Sequence, residues 1–540
     1  MSLMGSLYVG TSGLQTGQNA LNTTAHNMSN IDTTGYTRQQ VQQGTRYYNT
    51  ISKTASANSY QQIGLGVNYS QVKQVRDYFL DKTYRRESGR SAFYEASVAA
   101  VEEVEDLFQE LQGQTFSGSI KNLWESVQEL AKDPSNSVNQ GVFIQRCNEF
   151  ITRGQAVYQG LCEYQDNLNF KIGQQVDKIN EYGKEIRDLN VQILKIEAGD
   201  VEHANDLRDQ RNQLLDELSS MANISYYEDV DGNVIVQLEG NDFVKEDTIN
   251  EIGLYEDELT GFYTPYWVKF ADNSTNPPDI TGAHVYDMTQ TISMDTNTDI
   301  GSLKSMLYAR GDHRATYKDL EDKTVYNRDI SQSVIMNVQA EFDRLINGVV
   351  TGINKVLKEA AENAGSYPNS TYLRDSNGDP YQVFNMVAEE KDASGNVIDN
   401  FSIENIVING ELKQAPSLLG FIRPSDDKAD QDTANKLKEV FTTESYTLNP
   451  NVETKTNLVN YYDNLVSQVA NTGSVMRGIS ENQQLTVDNT AAAREQIVGV
   501  SSDEELSNMI MFQNAYNASS RYINVISEML DHILSQLGRA

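Results

Sequence analysis

Near the C-terminus, apolar side chains recur at alternating steps of three and four. The series runs Met509, Phe512, Tyr516, Ser519, Ile523, Ile526, Leu530, Ile533 and Leu537, and Ser519 is its one polar member. This spacing is the a/d seam of a helix that lies lengthwise against another. Ser502 with Glu505 three residues on predicts a capping box at its start. Asp503, Glu504 and Glu505 put negative charge at the positive end of the helix dipole, and Gly538 predicts the stop. At the N-terminus, Leu7, Leu14, Leu21 and Met28 recur every seven residues, with Gly10, Gly17 and Thr24 at the alternate seam positions. Small residues let a second helix approach closely. A seam this thin does not hold an isolated helix, so the pattern predicts a helix that needs a partner and ends near Asn30–Gly35.

Between the ends the period shifts several times. Val98, Val101, Val104, Phe108 and Leu111 predict one helix face, and Ile172, Val176, Ile179, Tyr182, Ile186, Leu189, Ile193 and Ile196 a longer one. Leu207, Leu214, Leu218 and Met221 follow on a third. From Ile224 the period moves towards two, and Asp231-Gly-Asn233 between Tyr226-Tyr227 and Val234-Ile-Val236 predicts a hairpin. The pattern stays strand-like to about residue 299, turns helical over 303–361, becomes turn-rich and strand-like over 366–430, and is helical again over 431–500. All nine prolines lie between Pro134 and Pro450. Both ends are proline-free, as long helices require, because an interior proline costs about 3 kcal/mol.

Composition sharpens this picture. The 540 residues suffice for several domains, and 39% of them are hydrophobic, enough for buried cores. The net charge of −33 excludes a nucleic-acid binder, whose phosphate contacts need a basic surface. Yet residues 1–76 hold five bases (Arg38, Arg46, Lys53, Lys73, Arg76) against the single acid Asp32. This Ser/Thr/Asn/Gln/Gly-rich stretch buries little apolar area and stays disordered until a partner orders it. Cys147 and Cys162 make no disulfide framework and read as small core residues on helices. No apolar run approaches the roughly 18 residues of a membrane span. The first basic residue is Arg38, so a cleaved signal peptide is not expected, whether or not Met1–Leu3 is native. Composition alone describes a soluble, acidic, cytosolic or leaderless-exported protein.

Catalytic patterns are missing. His26, His203, His284, His313 and His532 are scattered and form no zinc signature; no phosphate loop or nucleophile elbow occurs. Asp375-Ser-Asn377-Gly-Asp379 starts like a calcium loop, but its twelfth position is Met386 where a bidentate Glu is required, so a turn is expected. Asp229-Val-Asp231-Gly-Asn233 fails the same test. Tyr263-Thr-Pro-Tyr266-Trp267 reads as strand core rather than a sugar platform. The chain is read as no enzyme, with no catalytic, cofactor-binding or metal residues and no cofactor.

Three segments resemble the bacterial flagellar axial proteins. Leu21-Asn-Thr-Thr-Ala25-His-Asn27-Met-Ser-Asn30-Ile-Asp-Thr33-Thr-Gly35-Tyr36 is similar to that family's A-N-N-[IL]-[AS]-N helix running into a T-x-G-[YF] turn, with His26 in place of an Asn. Gly499-Val500-Ser501-Ser502-Asp503-Glu504-Glu505 and Phe512-Gln513-Asn514-Ala515-Tyr516-Asn517-Ala518-Ser519 resemble its C-terminal run, with Ser501 where Asn is common. Thr37-Arg38-Gln39 after the turn and the run Asp209-Gln210-Arg211 resemble the hook-associated protein 1 branch, which forms the first hook–filament junction.

The resemblance implies an α+β chain of nested, discontinuous domains: a terminal α-helical coiled coil, a helical rod-like domain and β-rich outer insertions. The coiled coil takes residues 1–55 with 495–540, and the rod takes 56–222 with 300–365 and 431–494. Residues 223–299 and 366–430 are the β-rich parts. It implies a structural role in a junction ring of about eleven subunits, in contact with hook protein and a second junction protein. It also implies an export chaperone at the C-terminal helix, passage through the flagellar export apparatus, no membrane insertion and an extracellular place on the flagellum. The resemblance and the seams together put assembly contacts at Leu14, Leu21, Asn27, Met28, Asn30, Gly35, Tyr36 and Arg38 on the N-terminal side. On the C-terminal side they name Met509, Phe512, Tyr516, Ile523, Ile526, Leu530 and Ile533. A hook or distal-rod subunit, and an adhesin displayed on a flagellar scaffold, are the other readings; the Asp209-Gln-Arg211 run and the Thr37-Arg38 pair speak against the first.

Overall fold

Helix α1 (Leu3–Ser29) forms where the small-residue seam predicts it and ends one turn before Gly35. The computed structural model describes residues 3–53, 60–109, 115–199, 202–272, 274–364, 372–375, 377–391 and 397–537. Gly538, predicted as a helix stop, and Leu111 lie outside them.

After α1 come strands β1 (Gln39–Thr45), β2 (Tyr48–Lys53), β3 (Tyr60–Gly64) and β4 (Val67–Gln74), pairing antiparallel as β1–β4 and β2–β3. The pattern shows no strands here, because polar residues fill the alternate positions on both faces. Four helices follow: α2 (Tyr78–Gln109), α3 (Phe116–Lys132), the 61-residue α4 (Ser137–Glu197) and α5 (Asn205–Met221). Pro134 sits in the turn between α3 and α4, as a residue that cannot continue a helix should. The predicted hairpin is present as β5 (Ile224–Glu228) and β6 (Val234–Leu238), extended by β7 (Asn241–Lys245) and β8 (Thr248–Ile249) into an antiparallel four-stranded sheet.

A second hairpin pairs β9 (Ile252–Glu256) with β10 (Tyr263–Trp267), which buries Tyr266 and Trp267 as strand core. Then come α6 (Ser302–Arg310), the single turn α7 (Lys323–Val325) and α8 (Val334–Ala364). The next stretch holds β11 (Phe384–Met386), β12 (Glu390–Lys391), β13 (Val397–Ile398), β14 (Ile406–Ile408) and the short α9 (Gly410–Gln414). Helices α10 (Gln431–Thr442), α11 (Leu458–Val498) and α12 (Ser502–Leu537) close the chain.

These elements divide into two units. One comprises Met1–Ser91, Lys178–Glu251 and Gln483–Ala540; the other comprises Ala92–Asp177 and Ile252–Asn482.

In the second unit α3, α4, α8, α10 and α11 enclose an aromatic cluster. Phe116 lies 4.8 Å from Phe342, 4.9 Å from Tyr462 and 5.3 Å from Phe150, ring centre to ring centre. Each such ring buries enough apolar surface to contribute a few kcal/mol. Cys147 and Cys162 are buried in the same core as free thiols, and burial raises both thiols. The Asp375 loop is a turn in which Oδ1 accepts from the backbone N–H of Asn377 and Asp379.

A carboxylate also enters this core. Asp343 on α8 accepts from the backbone N–H of Tyr317 (2.9 Å) and of Ile403 (2.6 Å), tying two loops to the helix. Burial pushes its carboxyl up to about 7, against those two hydrogen bonds. The folded state therefore holds this proton more tightly than the unfolded chain. The contribution of Asp343 to stability falls as pH rises through the window from about 4 to 7. Denaturant midpoints measured from pH 5 to 8 should decline, and Asp343→Asn, which has no proton to lose, should flatten that decline.

In the first unit the four-stranded sheet meets α4 at Gly183. A Cβ there would lie 2.5 Å from both Phe243 Cζ and Ile249 Cδ1, so only glycine permits the contact. Asn190 on α4 continues the sheet: its amide donates to Val234 O and accepts from Val234 N.

Two local readings need correction. The cap of α12 is Ser501, whose Oγ accepts from Glu504 N at 3.5 Å and whose carbonyl accepts from Glu505 N at 3.0 Å, so the helix begins at Ser502 instead of being capped by it. On α5 the buried positions are Asp209, Arg211, Leu215 and Leu218, while Leu207, Leu214 and Met221 are half-buried. The helix turns a charged pair inward because both charges find partners there. Likewise Ile196, at the end of the α4 series, is exposed.

Candidate assembly interface

Helices α1 and α12 pair through glycines. A Cβ on Gly10 would stand 2.7 Å from Ile523 Cγ1, one on Gly13 2.7 Å from Ser519 Oγ, and one on Gly17 3.4 Å from the Tyr516 backbone. Partner numbers fall as those of α1 rise, so the pair is antiparallel. The buried line of α1 is Ser6, Gly10, Gly17, Ala20, Thr24 and Asn27. Leu7, Leu14, Leu21 and Met28 flank it and stay half-buried. The repeat of seven thus marks the seam through its small members, because they admit the large residues of α12. On α12, Met509, Phe512, Tyr516, Ser519, Ile523 and Leu530 are half-buried, Ile526 is 5% exposed and Ile533 is exposed. Gly10→Leu forces a side chain into Ile523 and should separate the helices. Overpacking of this kind costs about 1–3 kcal/mol, and limited proteolysis should then cut α12 first.

The turn after α1 is organised by Asn27, which is 1% exposed. Its Nδ2 donates to Gln39 O at 2.8 Å, and its Oδ1 accepts from Gln39 N at 3.0 Å and from the Tyr36 hydroxyl at 2.8 Å. Asn is required because one amide serves a donor and an acceptor of the same backbone residue. Asn30 accepts from Thr33 Oγ1 and donates to His26 O. Gly35 takes φ +80°, the left-handed region that favours glycine, and presents its α-carbon towards Gln213. Arg38 joins the two ends of the chain: its backbone N–H donates to Val498 O at 2.9 Å, and its guanidinium pairs with Glu504 at 2.6 Å. That ion pair is largely solvated, so the backbone bond is the firmer link.

Beneath the turn lies a charged layer. Asp209 on α5 accepts from Thr37 N at 3.1 Å and from Gln74 Nε2 at 2.8 Å, and stands 3.6 Å from Arg76. Burial pushes its carboxyl up to about 6, against the Thr37 bonds and the Arg76 charge. Arg76 also pairs with Asp81 (3.0 Å), Arg494 bridges Asp81 (2.8 Å) and Asp216 (2.7 Å), and Arg85 holds Asp216 at 2.6 Å. Burial works against the Asp81 anion, but Arg76, with Arg494 and Arg85, holds the carboxyl below its ordinary range. Arg211, 2% exposed, donates to Asn190 Oδ1 and Gly232 O, and burial lowers it to about 10. The layer clamps the turn after α1, β4, α2, α5 and α11 together.

All the residues named from the sequence as contacts therefore fall on the α1–α12 pair or its turn. The sequence pattern does not single out Asp209, Arg76, Asp81, Asp216 and Arg494 as contacts. Charge at inward helix positions is the one signal for four of them, and Arg76, in the link before α2, carries none. Among the described residues, no group of three or more His, Cys, Asp or Glu could hold a metal ion.

The pair leaves apolar surface open. Met511, Ala515, Ala518, Tyr522, Val525 and Met529 form a second stripe on α12 at three- and four-residue steps, and all of them are exposed. Met4 and Tyr8 on α1 are exposed as well.

Comparison with known proteins accounts for this construction. Residues 101–370, half of the chain, match the family described as Flagellar hook-associated protein FlgK helical domain. The chain belongs to the FlgK family. Its ends match two further flagellar families: Flagella basal body rod protein over residues 7–37, and Flagellar basal body rod FlgEFG protein C-terminal over 496–537. These are the segments that build the antiparallel pair. The FlgK-family chain is 26% identical to Flagellar hook-associated protein 1 of Bacillus subtilis (strain 168), covering 96% of each. It is 22% identical to that of Salmonella typhimurium, covering 97% of this chain and 98% of the other. In fold it is similar to the flagellar hook junction protein FlgK from Burkholderia pseudomallei, with a TM-score of 0.54 at 12% identity, over 79% of this chain and all of the other. It is a flagellar hook-associated structural protein of α+β fold. Among the described residues, no helix is long and apolar enough to cross a membrane.

Proposed function

We propose that this FlgK-family chain is the subunit of the first hook–filament junction, forming a ring of about eleven copies on which the filament grows. The observation that carries the reading is the α1–α12 pair, whose seam closes within one chain while a second apolar stripe on α12 stays open to a neighbour. Leu14, Leu21 and Met28, half-buried in one chain, gain cover in the ring. Asn27, Asn30, Gly35, Tyr36 and Arg38 hold the turn in the shape that neighbours meet. Met509, Phe512, Tyr516, Ile523, Ile526 and Leu530 keep the pair closed, and Ile533 extends the contact. The neighbours are hook protein below and the second junction protein above. Before assembly, an export chaperone covers the exposed apolar face of α12. The chain leaves the cell through the flagellar export apparatus and resides outside on the flagellum.

Deletion of the gene in its host tests this. The expected result is complete hooks without filaments, seen by electron microscopy, with flagellin lost to the medium. Missing hooks would instead make it a hook or rod subunit, and normal filaments would overturn the structural role altogether.

A further inference from the structure

Between Asp32 and Asp77 the chain holds no acid, although its net charge is −33. Of the bases in that stretch, Arg38 and Arg76 pair with Glu504 and Asp81. The others are Arg46, in the corner between β1 and β2, Lys53 on β2 and Lys73 on β4. Arg46 and Lys73 are exposed and form no ion pair among the described residues. Next to Arg46 stand Tyr47 and Tyr48, 92% and 59% exposed. Arginine beside open tyrosine rings is the composition of a protein–protein contact.

The first unit also carries an open groove of about 630 Å³, a volume typical of binding clefts. Its walls are the turn over 30–36, α2 at Tyr84 and Ser88, α5 at Gln213 and Glu217, and the end of α11 at Arg494 and Glu495. Its charge is negative. Arg494 is occupied by Asp216 and Asp81. Lys178 stands near Glu217 and Glu181 alike and balances one of them at most. Asp32 and Glu495 are exposed and form no ion pair among the described residues.

The basic corner and the acidic groove cannot meet within one chain. Strand β1 starts at the Asn27–Gln39 bonds and runs back along α1. At its far end Arg46 N donates to Gly66 O at 3.0 Å, and Gly66 lies against Val9 and Ser12. From Ser12 to Asn30, at the groove, the chain rises about 27 Å if it climbs as a helix, well beyond the reach of one side chain. Complementary patches at opposite ends of one unit make a head-to-tail contact, and repetition of such a contact closes a ring. Opposite charge on the two patches sets its register.

We propose that the Arg46-Tyr47-Tyr48 corner of one copy docks into the acidic groove of a second copy, with Arg46 facing Glu495 and Asp32. The proposal rests on the ring reading and adds to the α12 stripe a second contact between neighbouring copies.

The test is cross-linking in hook–filament particles from the deletion host, carrying the full chain with Asn49→Cys and Ser88→Cys together. Asn49 adjoins the corner and Ser88 lines the groove, and neither is charged. The native thiols Cys147 and Cys162 are buried. A short bismaleimide should give a ladder of covalent multimers from this variant and monomer alone from either single variant. Adding Arg46→Glu, an exposed change that leaves the fold intact by circular dichroism, should abolish the ladder. Monomer alone from particles that contain the double-cysteine chain would overturn the docking and leave the ring reading standing. A ladder that survives Arg46→Glu, or a product joining the groove cysteine to a different protein, would overturn the docking as well. Absence of the double-cysteine chain from the particles, with the single variants absent too, would overturn the ring reading and the docking together.

Discussion

Ile526→Asp is expected to abolish filament growth while leaving the second unit folded. Ile526 is the most buried apolar residue of α12 among those described, at 5% exposure, and it sits on the seam one helical turn from the Gly10–Ile523 contact. Loss of the isoleucine contacts costs about 2–5 kcal/mol, and an unpaired carboxylate in that place adds a further penalty. Helix α1 carries no acidic or basic residue except His26, so nothing on it can answer the new charge. The pair should open, visible as faster amide exchange over 3–29 and 502–537 with exchange in α8 unchanged. Met529→Asp is the companion variant. Met529 is exposed on the second stripe, so the pair should stay closed in the isolated chain while assembly still fails. Normal filaments from Ile526→Asp would remove the helix pair from the assembly mechanism. Normal filaments from Met529→Asp would remove only the second stripe.

The second large effect belongs to Arg494. It bridges Asp81 and Asp216 and lies over the Tyr84 ring at 4.8 Å, so one side chain joins α2, α5 and α11. Arg494→Ala leaves two largely buried carboxylates with one arginine each, and breaking such a network costs about 3 kcal/mol or more. Arg494→Lys keeps a charge but cannot fork between two acids, and should recover only part of the loss. The pH dependence follows from Asp81, whose folded carboxyl lies below its unfolded value. Its stabilising contribution is present above about pH 4 and is lost as pH falls through the lower, folded value. Denaturant unfolding should therefore show a large difference between wild type and Arg494→Ala at pH 7 and a smaller one at pH 3. An equal difference at both would mean that packing on Tyr84, and not charge, is what Arg494 supplies.

Much of this is legible in the sequence. The three- and four-residue steps from Met509 to Leu537 are those of α12, and the absence of proline from both ends matches the long terminal helices. The hairpin around Asp231-Gly-Asn233 was marked by its turn residues, because Gly232 takes φ +86°. What the sequence hides has a common cause. Strands β1–β4 are polar on both faces, so their pairing leaves no alternation to read. The Asp81–Arg494–Asp216 layer is assembled from residues hundreds of positions apart, and a charged residue on a helix is by default assigned to the solvated face. Arg310 likewise reads as a basic residue in the last turn of α6, where it suits the helix dipole. Its burial is decided only once β10 folds over it and Tyr263 O accepts from its Nη1.

The sequence by itself determined the class of protein: two terminal helices with matching seams, a turn around Asn27 and Tyr36, and an acidic, proline-punctuated middle. Those features are local, and local periodicity and turn chemistry suffice to specify them. Only the tertiary structure decided which members of the seam are buried and which charges are held inside. Glycines instead of leucines form the contact line of α1, because the close approach of α12 leaves no room for a Cβ. Asp209, Asp81 and Arg494 lie inside because each brings a partner that compensates the loss of water, and such partners are made neighbours by folding, not by spacing along the chain.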